Sequence, residues 1–442
     1  MTGAGQALVA FGSVAALLAL MALVRLAASR RGLGPEVQRK LVHIGTGLYA
    51  LSLPWLFTDD WPVYMLIGLT LGVMTVLRLP GIRKGGIGEA LHGVERQSYG
   101  DFLLALAVGV VFLLSDDQAI LYVLPLAILT LSDAAAALTG SRYGHVFFAV
   151  EDGRKSVEGS AVFFLVSLIL AMICLLLLSD IARANVIVVA LIVAAFGTLV
   201  EAESWRGFDN FFLPAGLLVF LEAHMNSPAP VLVAVATAFG LAVWAAHVLA
   251  ARLGGKAHEA RLYVITAFLL YSVTAPHNTL LPLLALLAHA FSNAQTPCAA
   301  RHPVLDVVAA VALLSFGWLT LGLVTGLNAL GFYAITSMAL AAGLVALGLG
   351  KRPLVLRIAG ALLVAAALFS AFQWLTALNT GASGWAGDLR GLGLCALALA
   401  LVPTLARPGA FLHDRVLKLT ALSLLCPVAG YLWMATAAGW PG

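Results

Sequence analysis

The chain has 442 residues, 62% of them hydrophobic and 10% charged, with a formal net charge of +4. A soluble globular protein carries about 25% charged residues, so this composition excludes an ordinary soluble enzyme, and the small positive excess reads as a bias of membrane loops, with no nucleic-acid partner implied. Cys174, Cys298, Cys395 and Cys426 have no paired spacing, which argues against a disulfide framework or a cysteine metal site.

Apolar stretches approaching the roughly 20 residues that a spanning helix needs recur from end to end. They predict an all-α polytopic membrane protein of about 14–16 transmembrane helices, with its N-terminus outside. In chain order the predicted spans are 6–28, 41–57, 61–78, 101–115, 119–139, 160–178, 185–203, 211–225, 231–251, 262–276, 279–293, 304–326, 328–349, 353–378, 388–406 and 416–438. The first has no basic region ahead of it and is followed by Arg30 and Arg31, the pattern of an uncleaved helix rather than a signal peptide. With the N-terminus outside, only Arg183 and Arg390 among the basic residues fall in outside loops, which carry Asp59, Asp60, Asp116, Asp117, Asp180 and Asp388 instead. That asymmetry follows the positive-inside rule. A soft boundary at 226–230, NSPAP, divides residues 1–227, where the motif-bearing polar residues cluster, from 228–442, a helical membrane extension with no assignable motif.

The polar residues with chemical potential lie in the inside segments. Lys40 and His43, three apart in RKLVH, share one helical face; a histidine at a helix start is more often structural than catalytic. The glycine-rich, basic stretch 81–101 either cradles phosphate or is an ordinary loop. Asp133, in LSDAAAALTG, is an acid at membrane depth with no local partner, set among small residues that let another helix or a ligand come close; the bland alternative is an acid paired with a Lys or Arg of a neighbouring helix. In the loop 140–159, Gly140, Gly144, Gly153 and Gly159 permit close backbone approach and N–H nests. Arg142, Arg154 and Lys155 supply positive charge there, and Ser156 is suited to donate to phosphate or help hold a metal ion. Glu158 is a candidate to bind Mg²⁺ or to orient Lys155.

In EAESWRGFDNFFLP, 201–214, Glu201 and Glu203 point to nearly opposite sides of a helix, so they are not expected to serve one site equally. Asp209 is a candidate metal ligand or general base and Asn210 an orienting group, with Pro214 in the first turns of the next span. The bland alternative for both Asp209 and Asn210 is helix capping. Walker A, HExxH and serine-elbow patterns are absent from the sequence, so any phosphoryl transfer is not of the P-loop kind.

In chain order the motifs are Arg39-Lys40-x-x-His43; Glu95-Arg96 with Ser98 and Gly100; Ser132-Asp133 through Gly140, Arg142 and Gly144; Lys155-Ser156-x-Glu158-Gly159-Ser160; and Glu201, Ser204, Gly207 and Asp209-Asn210-x-x-x-Pro214. Together they resemble the CTP-dependent lipid-alcohol kinase family of phytol, dolichol and CTP-dependent diacylglycerol kinases, over about residues 35–220. The resemblance implies that CTP and a long-chain membrane alcohol give an alkyl phosphate and CDP, with a divalent cation such as Mg²⁺, at the cytosolic face of a bacterial inner membrane. It implies catalytic roles for Asp133, Lys155, Glu201 and Asp209, with Asp133, Glu158 and Asp209 as metal ligands. Nucleotide binding falls to Arg96, Gly140, Arg142, Gly144, Lys155, Ser156, Glu158 and Gly159, and substrate contact or support to Lys40, His43, Asn210 and Pro214.

Two other readings compete. Phosphatidate cytidylyltransferases have a similar layout up to Lys-[Ser/Thr]-x-Glu-Gly, but the Gly-His-Gly-Gly segment they carry near their end is missing here. A transporter without chemistry fits the many spans, yet transport sites lie near the bilayer midplane, and the polar residues of this chain crowd into inside loops. The family's chains end soon after the Asp-Asn-Pro segment, whereas this one continues to residue 442.

Overall fold

The computed structural model describes residues 2–77, 100–150, 153–203, 207–253, 257–300, 302–380, 388–437 and 439. Each predicted span falls on a helix except 41–57, which two helices share across a break at Ser52. α1 (Gly3–Arg31) begins where the Thr2 hydroxyl accepts the Gly5 N–H at 3.3 Å, and it stops at Gly32, whose φ of 64° is the left-handed conformation glycine adopts without strain. α2 (Pro35–Leu51) opens on a proline, whose missing N–H costs nothing in a first turn. α3 (Leu53–Leu56), α4 (Trp61–Leu77) and α5 (Gly100–Leu114) follow. α6 (Ala119–Ala127) widens into a π-helical turn, Ile128–Ser132, and continues as α7 (Asp133–Tyr143), about one turn beyond the predicted end of that span.

A small hairpin breaks the all-helical pattern. β1 (Phe147–Val150) pairs antiparallel with β2 (Gly153–Ser156), Phe147 opposite Ser156 and Val150 opposite Gly153. Gly153 has a φ of 111°, which a side chain would strain. The Ser156 hydroxyl accepts the Gly159 N–H at 3.0 Å and so caps α8 (Val157–Leu178). α9 (Arg183–Ala202), α10 (Asp209–His224) and α11 (Ala229–Leu253) complete this part of the chain.

Among the described residues, nine helices are long and apolar enough to cross a bilayer, and three shorter apolar helices accompany them. The chain is therefore a polytopic, all but wholly α-helical integral membrane protein. It forms two compact units, Met1–Ala245 and Ala246–Gly442, which divide within α11.

In the first unit α10 is central. It is buried from Asn210 to Leu221 and packs against α5, α6 and α9, as expected for a helix apolar all round. Helices in lipid gain little from apolar burial against one another, so close packing and polar links hold them. A Cβ at Gly47 of α2 would collide with Thr130 of the π turn, so that glycine lets α2 lie directly on it.

The second unit comprises α12 (Ala257–Val273), α13 (Leu280–Gln295), α14 (Pro303–Thr325), α15 (Leu330–Gly348), α16 (Leu354–Leu378), α17 (Arg390–Ala406) and α18 (Arg415–Ala437). α15 is its buried centre, packed by α13, α14, α16, α17 and α18. The buried Arg415 donates to Ser292 Oγ at 3.1 Å and to the Thr296 carbonyl at 2.7 Å, at the C-terminal end of α13 where positive charge is favoured.

Candidate functional site

The site is built from five separate segments of the first unit. Lys40, in the second turn of α2, meets Asp133 at the start of α7 at 2.6 Å, and the two side chains are 3% and 8% exposed. His43 lies one turn further along the same face. Its Nε2 stands 3.5 Å from the same Asp133 oxygen and 3.1 Å from the Leu129 carbonyl of the π turn. A carbonyl oxygen only accepts, so Nε2 carries a proton. The i, i+3 spacing in RKLVH thus delivers a cation and an imidazole to one buried carboxylate. An unpaired charge at that depth would cost several kcal/mol, and Lys40 supplies the partner that Asp133 lacks in its own neighbourhood.

Lys155, on β2, reaches the last turn of α9. It donates to Glu201 Oε1 at 2.6 Å and also to the Glu201 carbonyl. Burial alone would lower its ammonium, but Glu201, then Asp209 and Asp133, hold it above its ordinary value. Asp133 and Asp209 also act on the Arg39 guanidinium, which burial opposes and the 2.7 Å pair with Glu36 supports, with a net upward shift. Asp133, Lys155, Glu201 and Asp209 therefore share one electrostatic cluster, with Arg39 at its edge. The Asp209 carboxylate, in the first turn of α10, accepts no hydrogen bond from the described residues.

The glycines of the loop have a packing task. A Cβ at Gly140 would stand 2.7 Å from Ser156 Oγ, one at Gly144 2.5 Å from the Gly140 carbonyl, and one at Gly159 3.0 Å from the Ala136 carbonyl. They let α7, the hairpin and the start of α8 close on one another around Ser156. Arg142 lies over the Tyr143 ring at 5.5 Å, and Arg154 over Phe147 at 4.4 Å.

Glu158 differs from expectation. Its Oε1 accepts the N–H groups of His145 at 2.9 Å and Val146 at 3.1 Å, fastening the base of the hairpin to α8. The expectation that it orients Lys155 is corrected, because Glu201 holds that ammonium. Asn210 does orient, but through backbone: its Nδ2 donates to the Gly100 carbonyl at 2.8 Å and ties α10 to α5. Pro214 is buried inside α10. Arg96 lies outside the described residues.

Two residues escaped the list of candidates drawn from the sequence. Arg39 was legible as a charge beside Lys40, but only the fold turns it toward Asp133 and Asp209. Asp101 opens α5 next to Gly100, and its one sequence signal is an acid at the mouth of an apolar span.

Among the described residues, no three His, Cys, Asp or Glu side chains are grouped as metal ligands. The Asp133 carboxylate is engaged by Lys40 and one Glu158 oxygen by backbone amides. Asp209 and the second Glu158 oxygen, which is buried with no hydrogen-bond partner among the described residues, remain, and Mg²⁺ commonly takes one or two carboxylates and leaves its other positions to water and phosphate oxygens. The residues thus fit a cation that takes most of its ligands from elsewhere better than a protein-only metal cage.

No family model and no solved structure matches the chain. A phytol kinase of Synechocystis sp. is 32% identical to it over 213 residues, 47% of this chain and 88% of that kinase. Similarity at that level across nearly the whole of the relative shows that the chain belongs to the phytol kinase family.

Proposed function

We propose that the chain transfers the γ-phosphoryl group of CTP to a long-chain isoprenoid alcohol, such as phytol, geranylgeraniol or dolichol, giving an alkyl phosphate and CDP. The observation that carries this reading is the convergence of Asp133, Lys155, Glu201 and Asp209 on one cluster in a chain of this family. The positive bias of the loops on the same side supports a cytosolic site in a bacterial inner membrane.

The alcohol oxygen attacks the γ-phosphorus, the bond from that phosphorus to the bridging oxygen breaks, and CDP leaves with the bonding pair. Such transition states need positioning and charge stabilisation more than covalent help. Lys155, held by Glu201, presents a fixed positive charge to the donor phosphates. Arg39 adds a second cation at the edge of the cluster. Glu201 bonds Lys155 through Oε1, and its other oxygen accepts the proton of the attacking hydroxyl. Asp209 would hold Mg²⁺ together with the donor phosphates, and the ion supplies neutralisation of their charge when bound. Lys40 and His43 lock Asp133, and with it α2, against the π turn. A π turn beside a catalytic group is a recurrent arrangement.

The test is a product assay. The purified full chain, given CTP, Mg²⁺ and a panel of isoprenoid alcohols, diacylglycerol and phosphatidic acid, should release CDP with at least one isoprenoid alcohol. Pyrophosphate release with phosphatidic acid would assign it to cytidylyl transfer instead. Release of neither product would overturn the reading.

A further inference from the structure

Between α1, α2, α4 and α5, all within the first unit, lies a cavity of about 130 Å³. Its wall runs from Val42 to Ala50 on α2 and from Leu66 to Met74 on α4, each about 12 Å along the helix axis. The polar groups on these walls are mostly satisfied at home. Thr46 Oγ1 donates to the Val42 carbonyl at 2.9 Å, and Thr70 Oγ1 to the Leu66 carbonyl at 2.8 Å. Tyr49 donates its hydroxyl proton to Ser13. Among the described residues, Asp101 is the one carboxylic acid on the wall.

That acid lies beside the candidate site. Asp101 follows Gly100, whose carbonyl takes the Asn210 amide, and Asn210 follows Asp209. On α2, Val42 of the cavity wall directly precedes His43, while Lys40, two residues back, faces the nearly opposite side of the helix. Over its described lining the cavity is therefore apolar, with Asp101 on its wall next to the Gly100 carbonyl that ties α5 to α10.

We propose that this cavity binds the head-proximal hydrocarbon of the acceptor alcohol, with its hydroxyl hydrogen-bonded to Asp101 before CTP binds and passing to Glu201 for the transfer itself; the proposal rests on the kinase reading above. An apolar cavity of about 150 Å³ accommodates a benzene-sized ligand, so this one takes the first part of an isoprenoid chain while the rest extends into lipid. The carboxylate selects the head group. It accepts from a neutral hydroxyl and repels the phosphate of a phospholipid, which makes an alcohol the occupant rather than a bilayer lipid.

The experiment uses the full chain in nanodiscs with a geranylgeraniol analogue that carries an alkyl diazirine near its hydroxyl, without CTP. Irradiation should label peptides of α1, α2, α4 and α5, and unlabelled geranylgeraniol should compete while phosphatidic acid does not. Ala105→Phe, which fills the cavity from α5, should cut labelling about tenfold, the scale expected of a filled apolar pocket. Val73→Phe, from α4, should do the same, so that one badly folded variant does not decide the matter. Labelling confined to other helices, equal competition by phosphatidic acid, or labelling unchanged in both variants overturns the proposal. CDP release measured on the same samples separates the two readings. A labelled cavity without CDP release removes the kinase and keeps the alcohol site, and CDP release without cavity labelling does the reverse.

Discussion

Lys40 and Asp133 are separated by 93 positions and meet in a setting where neither is tolerated alone. Lys40→Met should destabilise the first unit by about 3–5 kcal/mol, because it leaves a buried carboxylate uncompensated; unfolding in detergent measures this. Lys40→Met combined with Asp133→Leu should recover most of that loss without restoring turnover. If the double variant is as unstable as the single one, the pair is not what holds α2 to α7. Lys155→Ala and Asp209→Asn should each abolish CDP release from a folded, inserted protein; near-normal turnover in either would remove that residue's assigned role. The sign of the Lys155 shift sets its pH dependence. An ammonium held above its ordinary value contributes stability fully below that ordinary value, and loses it only as pH rises through the raised one. The stability difference between the wild type and Lys155→Met should thus stay flat from about pH 6 to about pH 9. A difference that already falls between those limits would point to another titrating group. Charge scarcity made Asp133, Lys155 and Asp209 legible in the sequence. Lys40 and Glu201 stood among the sequence candidates too, but their pairing with Asp133 and Lys155 was not legible, because only the packing of distant segments makes it.

At the scale of single elements, the helices follow from apolar length, and their ends follow from local chemistry such as Gly32, Pro35 and Ser156. The hairpin and the π turn do not. The hairpin depends on Glu158 binding the His145 and Val146 amides across the loop, and the π turn on α2 lying against it at Gly47. The loop glycines suggested phosphate nests, and the fold gives them a crowded contact around Ser156. Gly144→Ala should therefore destabilise by about 1–3 kcal/mol through overpacking. Gly12→Ala, inside α1 where a Cβ meets nothing within 4 Å, should leave the unfolding midpoint unchanged or slightly raised. Equal effects of the two substitutions would refute the packing role.

On the scale of the whole molecule, the 213 matched residues are 88% of the phytol kinase, which is thus about 240 residues long, close to the size of the first compact unit, Met1–Ala245. All the site residues described above lie in that unit. A chain ending after Leu253 is expected to insert and to keep CDP release; loss of release from an inserted, folded product would place part of the function in the second unit. The sequence by itself determined the membrane class, the positions of the helices and the residue types capable of chemistry. A bilayer imposes apolar length on every crossing segment and makes each charge conspicuous. Only the tertiary structure decided which charges pair, which glycines are packing contacts and where an apolar cavity meets the polar cluster. Those features depend on which helices are neighbours, and the uniform apolar periodicity of the spans carries almost no information about neighbours.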